Sequence, residues 1–199
     1  MNMQKQDISV IILAAGFSSR MKKPKAFLKF EGNKCFLEKI VKEYEKANLR
    51  QIVVVFNPKT LKYYQNHAYT FLDLHESVVN TQPHLERFFS IQKGLSAVES
   101  TNFCFIQDCD NPLIDAETIA KLMANKHKAD VIAPIFEHKK GHPILISKKV
   151  IEKILEQKSP DTNLRDIIRQ FEKFYTIVET DSVLKNINTQ SDYARYFAS

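Results

Sequence analysis

Ile8 to Leu13 is an unbroken apolar, β-branched run that ends in Ala14-Ala15-Gly16. Such a run suits a strand buried on both faces with a turn at its carboxyl end. Leu37, Ile40, Val41, Tyr44 and Ala47 then recur at helical spacing, and Asn48 supplies a stop. Ile52 to Phe56 predicts a second buried strand, closed by Asn57-Pro58, and Val78-Val79 begins a third before Thr81-Gln82-Pro83. Leu85, Phe88, Phe89, Ile91, Leu95 and Val98 follow the helical period, and Phe103 to Ile106 is the next strand. The polar turn Gln107 to Pro112 leads into a helix predicted from Asp115, whose side chain can cap it, through Lys126. Val131 to Ile135 and Pro143 to Ile146 predict strands, and Lys149 to Gln157 and Asn163 to Glu172 predict helices. Phe174 to Val178 reads as an edge strand and Asp192 to Phe197 as a short closing helix. Alternation of this kind predicts a mostly parallel, three-layer α/β sheet whose ligands bind beyond the carboxyl ends of the strands.

Composition narrows the class. The chain has 199 residues, 44% hydrophobic and 26% charged, which suffices for one packed domain spanning 1–199 with no internal repeat or linker. Its apolar runs are far shorter than the roughly 20 residues that cross a bilayer, so no membrane span is expected. Met1 to Asp7 is polar and lacks the pattern of a secretory signal, which points to a cytoplasmic protein. Cys35, Cys104 and Cys109 form no C-x-x-C pair and are expected as reduced thiols rather than zinc ligands. A net charge of +6, from 29 Lys+Arg against 23 Asp+Glu, favours anionic partners without naming one.

The polar loops predicted after the strands share one rim of the sheet: Gly16 to Lys25, Asn80 to Gln82, Asp108 to Pro112 and Asn186 to Asp192. The first combines small residues with Arg20, Lys22, Lys23 and Lys25. Small residues let backbone N–H groups approach an anion closely, and Arg and Lys supply donors to phosphate oxygens. It is neither a G-x-x-x-x-G-K-[ST] loop nor a G-x-G-x-x-G turn. His67, His75, His84, His127 and His138 show no metal-ligand spacing among themselves and are expected at exposed or core positions. His142 is expected as a turn residue satisfied by backbone hydrogen bonds, Phe88 and Phe89 as core, and Lys39, Lys42 and Lys46 as one solvated helix face.

Leu13-Ala14-Ala15-Gly16-x-Ser18-x-Arg20-Met21-x-x-x-Lys25 resembles the signature L-A-A-G-x-S-x-R-M-G-x-x-K of the MobA-like NTP transferases, which include the molybdenum-cofactor cytidylyl- and guanylyltransferases. Asp110-Asn111-Pro112 resembles that family's D-x-P turn, Gly141-His142-Pro143 its G-H-P segment, and Asn186 to Tyr193 its closing D/N-x-D/N-T-P-x-D-Y/L. The resemblance implies a Rossmann-like, GT-A-type nucleotidyltransferase fold in a single MobA-like domain. It also implies transfer of a nucleotidyl group from an NTP, CTP or GTP, to a small phosphorylated acceptor such as the molybdenum cofactor, with release of pyrophosphate.

Carried over residue by residue, the resemblance assigns the backbone of Leu13, Ala14, Ala15 and Gly16 to the nucleotide, and Arg20 and Lys25 to the triphosphate. Asp110 becomes the main Mg2+ ligand, completed by Asn188 or by Asn186 beside it; an amide oxygen is an acceptable hard ligand. Asn80 falls where the middle loop approaches the nucleotide, and Ser90 matches a serine in the following helix. Asp108 is left open between a carboxylate behind the metal site and a capped turn residue. Three departures stand out: Lys22 replaces a glycine, Gln190 replaces a proline, and Glu86 with Phe88-Phe89 replaces a glycine- and serine-rich lead, toward the acceptor side. Alternatives are a sugar-phosphate or choline-phosphate nucleotidylyltransferase, and a non-catalytic basic nucleotide- or nucleic-acid-binding module. The favoured reading takes an NTP and a phosphorylated acceptor as partners, no nucleic acid or membrane, and a monomer or weak homo-oligomer.

Overall fold

The structure, a computed structural model, describes residues 7–16, 23–67, 69, 71, 75–82, 86–99, 101–159 and 161–197. Strand β1 (Ile8–Ala14) is buried at every position and lies in the interior of the main sheet, as its continuous β-branched run predicts. The next two strands, β2 (Lys29–Glu31) and β3 (Lys34–Cys35), form a small separate hairpin. They are followed by α1 (Phe36–Lys46), β4 (Ile52–Phe56), α2 (Pro58–Asn66), β5 (Glu76–Val79) and α3 (Glu86–Ala97). The second half runs β6 (Phe103–Asp108), α4 (Ala116–Ala124), β7 (Val131–Phe136), β8 (Lys139–Lys140), β9 (Ile144–Ser147), α5 (Lys148–Leu155), α6 (Leu164–Ile168), β10 (Lys173–Ile177) and α7 (Gln190–Phe197).

The main sheet has the strand order β10-β7-β9-β6-β1-β4-β5, with β8 paired to β7. β1 is parallel to β4 and β6, β5 to β4, and β10 to β7; β9 is inserted antiparallel between β6 and β7. Successive residues of β1 point to opposite faces and so feed two cores. Val10 and Ile12 pack with Ile40, Val41 and Tyr44 of α1 and with Ile119 and Leu122 of α4. Ile11 and Leu13 pack with Phe88, Ile91 and Leu95 of α3 and with Val150 and Ile154 of α5. Helices therefore cover both faces of a mostly parallel sheet, the three-layer arrangement predicted. Among the described residues, no helix is long and apolar enough to cross a membrane.

The β2–β3 hairpin, β8 and the antiparallel direction of β9 are absent from the sequence reading, and two helices depart from it. Asn57-Pro58 is a helix start rather than a simple stop: Asn57 and Thr60 make a reciprocal capping box with Pro58 at the first helical position. The helix predicted from Asn163 to Glu172 shrinks to α6 with Asn163 as its cap; Leu164 and Ile167 are its buried residues, and Ile168 and Phe171 pack against the same core from its end. The three cysteines are free and buried, and burial pushes the Cys35 thiol up to about 11.

Candidate active site

The parallel strands β1, β4, β5 and β6 end along one edge, so their following residues Ala15, Asn57, Asn80 and Cys109 gather there. Asn57 ties the first loop down: its Nδ2 donates to the Ala15 carbonyl at 2.7 Å while its Oδ1 caps α2. Gly16 is exposed, and a Cβ built on it meets no atom within 4 Å among the described residues, so its backbone faces open space. Asn80 is fully buried; its Oδ1 accepts from Gln82 N at 2.8 Å and its Nδ2 donates to Ser90 Oγ at 2.9 Å. These two bonds fix the shape of the middle loop and tie it to α3.

Beneath the turn after β6, the buried Gln107 donates from Nε2 to the carbonyls of Asp108 and Asn111, and its Oε1 accepts from Tyr44 OH at 3.0 Å. Asn111 is also buried and donates to the carbonyls of Ser182 and Lys185, joining the turn to the segment that follows β10. Ile187, buried against Leu28 and Phe36, donates its N–H to the Asp110 carbonyl at 2.6 Å. This bond carries Asn188 to the Asp110 side of the cleft. Thr189 and Asp192 then cap α7 reciprocally, at 2.8 and 3.1 Å. The closing motif is thus a capping box, and Gln190 occupies the first helical position, where proline is favoured but not required.

Lys25 begins a short 3-10 turn, Lys25–Phe27, held by the burial of Ala26 and Phe27. Its Nζ donates to Asn188 Oδ1 at 2.6 Å and lies 3.8 Å from Asp110 Oδ2. One ammonium therefore sits between a carboxylate and an amide oxygen. Burial, then the neighbouring charge of Asp108, hold the Asp110 carboxyl above its usual range, with Lys25, His142 and Arg87 pulling the other way. Arg87, in the first turn of α3, grips Asp108 with a two-pronged fork: Nε to Oδ1 at 2.9 Å and Nη2 to Oδ2 at 2.8 Å.

The structure thus brings together Lys25, Asp110 and Asn188, whereas Asn186 is exposed and makes no such contact. Leu13, Ala14, Ala15 and Gly16 close the rim at β1. Arg20, with Lys22, lies outside the described residues. Phe88 is core, and Phe89 is half-buried beneath Lys93, 5.3 Å from its ring centroid. Two expectations are corrected. His142 is not satisfied by backbone bonds: its N–H reaches the Val183 carbonyl, but its ring Nδ1 is buried without a partner among the described residues, and burial lowers its pKa. Lys39 is not solvated: it donates to the Ile114 carbonyl at 2.6 Å and lies over the Phe30 ring, while Lys42 and Lys46 pair with Glu45 and Glu43. Arg87 and Asn57 were the residues sequence reasoning missed. Arg87 carries no motif, and Asn57 was masked by the turn signal of the proline after it.

An open α/β sheet with exposed backbone, a lysine and an acidic turn at the carboxyl ends of its strands has its candidate site where this fold class binds ligands. The profile of the MobA-like NTP transferase domain matches residues 10–174, and the chain belongs to that family. It is 23% identical over 194 residues to a molybdenum cofactor cytidylyltransferase of Escherichia coli, covering 94% of this chain and 93% of that protein. It is 26% identical over 199 residues to a probable molybdenum cofactor guanylyltransferase of Bacillus velezensis, covering 94% of both. In fold it is similar to Rv0371c from Mycobacterium tuberculosis H37Rv, whose crystal structure with manganese has 18% identity and a TM-score of 0.80 over 98% of this chain and 100% of that one. At the level of the family, the activity is nucleotidyl transfer.

Proposed function

We propose that the chain is a Mg2+-dependent nucleotidyltransferase that moves an NMP group from CTP or GTP onto a phosphomonoester, with the phosphate of the molybdenum cofactor as the acceptor its relatives favour. The observation that carries the reading is the position of the Lys25 ammonium between Asp110 and Asn188. Two hard oxygen donors already converge on a cation, which is the donor set a small divalent ion takes before substrate phosphates complete its shell. The manganese complex of the fold relative is consistent with a divalent ion in this architecture.

Asp110 and Asn188 would hold Mg2+, which when bound neutralises phosphate charge and polarises the α-phosphoryl group. Lys25 moves from Asn188 onto the triphosphate and stabilises the charge that builds on the leaving pyrophosphate. The backbone at Ala15 and Gly16, set by Asn57, lies along the nucleotide, and Asn80 acts through the loop it shapes with Ser90. A phosphate acceptor is already ionised near neutral pH, so alignment rather than proton abstraction is the protein's main contribution. Release of pyrophosphate from each common NTP, screened with Mg2+ against phosphomonoesters that include molybdopterin, tests the reading. Turnover with one NTP and one acceptor is expected; no metal-dependent NTP binding or pyrophosphate release with any pair overturns it.

A further inference from the structure

The reaction brings two anions together, and the cations around the cleft are unevenly placed. Two side chains of permanent positive charge act on Asp110: Lys25 from one side, and Arg87 from α3. Lys25 lies on the nucleotide-loop side, against Asn188. Arg87 pairs with Asp108 at the start of the acidic turn, with 42% of its side chain exposed.

A guanidinium has five N–H donors, and the fork on Asp108 uses Nε and one N–H of Nη2. The remaining three make no hydrogen bond within the described residues. Asp108 therefore fixes the plane of Arg87 without exhausting it. The free edge of the fork presents the paired-donor geometry that suits a phosphate dianion. The same fork gives Asp108 a counter-ion, so a second anion approaching the turn meets a paired carboxylate there.

Resting on the nucleotidyltransferase reading, we propose that Arg87 is the acceptor-binding residue: its outer N–H edge receives the phosphate of a phosphomonoester, and Asp108 positions it. Arg87 stands beside Glu86 and Phe88-Phe89, the segment in which this chain departs from the family pattern. The acceptor phosphate is thereby held at the Asp108 end of the acidic turn, whereas Lys25 lies at its Asp110 end.

Calorimetry with Arg87→Met and Arg87→Lys tests this in two arms, on the full chain with Mg2+. The first arm titrates a non-transferable NTP analogue; the second titrates phenyl phosphate, a plain phosphomonoester, onto the resulting complex. Wild type is expected to bind both. Arg87→Met should bind phenyl phosphate roughly 10- to 100-fold more weakly while its affinity for the analogue stays within about twofold. Arg87→Lys keeps the charge but not the fork and should recover only part, and it serves alone if the Met variant does not fold. Equal phenyl phosphate affinity in wild type and both variants makes the Arg87–Asp108 pair purely structural and overturns the inference. A parallel loss of the analogue assigns Arg87 to the triphosphate and overturns it as well, as does a wild type that binds the analogue but not phenyl phosphate. A wild type that binds no analogue removes the nucleotidyltransferase reading, and this inference with it.

Discussion

Lys25, Asp110 and Asn188 form a small charge lock, and each member has a test of its own. Lys25→Ala should weaken NTP use by about 10- to 100-fold, the value of one charge-assisted contact of roughly 1.5–3 kcal/mol. The same change removes the cation that lies against both expected metal ligands. Mn2+ alone, followed by its spin resonance, should therefore bind Lys25→Ala more tightly than wild type, an effect opposite in sign to the loss of NTP. Weaker Mn2+ binding in this variant would show that the lysine supports the metal site rather than occupying it. Asn188→Asp should retain transfer and Asn188→Leu lose it; a dead Asn186→Leu beside an active Asn188→Leu moves the assignment to the other asparagine. Asp110→Asn should abolish most transfer yet stabilise the metal-free fold at neutral pH. The Asp110 carboxyl binds its proton more tightly in the folded chain than in the unfolded one, since its pKa is raised by burial and by Asp108. Stability from this group is thus complete below the ordinary carboxylate value and is lost as pH rises through the raised one. In EDTA, the Tm of Asp110→Asn should exceed that of wild type at pH 7, and the gap should close as pH falls through the carboxylate range. A constant gap would assign the gain to packing instead. Lys25, Asp110 and Asn188 were legible because their spacing is a motif. Arg87 was not, because its role depends on a strand 21 positions away in sequence.

At the scale of elements, strands were the easier part to read. Ile52 to Phe56 is found at the predicted bounds, since a β-branched run buried on both faces leaves no other stable choice. The helix after it was hidden because α2 buries only Thr60 fully and shows no continuous apolar stripe; its cap and Tyr63 and Tyr64, packed around Phe27, hold it instead. The antiparallel insertion of β9 was equally invisible, since pairing direction is set by the chain's path and not by local pattern. Its entry depends on Gly141, whose N–H bonds the Pro134 carbonyl while His142 N–H bonds Val183. A Cβ on Gly141 would stand 2.7 Å from both the Val183 carbonyl oxygen and its Cγ2. Backbone must move to admit it, so Gly141→Ala should destabilise by about 1–3 kcal/mol in denaturant titration. The shift passes through Val183 to the neighbouring carbonyl of Ser182, which holds Asn111, so acceptor KM or kcat should suffer as well. Unchanged stability and kinetics in that variant would show that the 3-10 turn Asp181–Leu184 gives way without disturbing the acidic turn.

For the whole molecule, the decisive quantity is where its excess positive charge lies. The chain carries +6, but in the cleft Asp108 is gripped by Arg87 and Asp110 faces Lys25, so those four side chains are balanced. The surplus is therefore carried by other side chains, and those out of contact with a ligand act on it at a distance, where salt screens them over about 10 Å at 0.1 M. Close contacts with the phosphates are screened much less. A polyanion-binding module behaves differently: each neutralised phosphate adds about 0.9 to the slope of log affinity against log salt, so several contacts lose orders of magnitude over a modest salt increase. The two functions separate in one experiment, in which nucleotide binding is followed across ionic strength at fixed free Mg2+ and then across Mg2+ at fixed ionic strength. For a nucleotidyltransferase, the association rate should fall with salt while the affinity declines gently. Chelation of the metal should then remove at least about 10-fold of affinity, equivalent to roughly 1.4 kcal/mol. A steep salt slope with no response to Mg2+ would transfer the function to the basic surface and leave the balanced quartet in the cleft as structure alone.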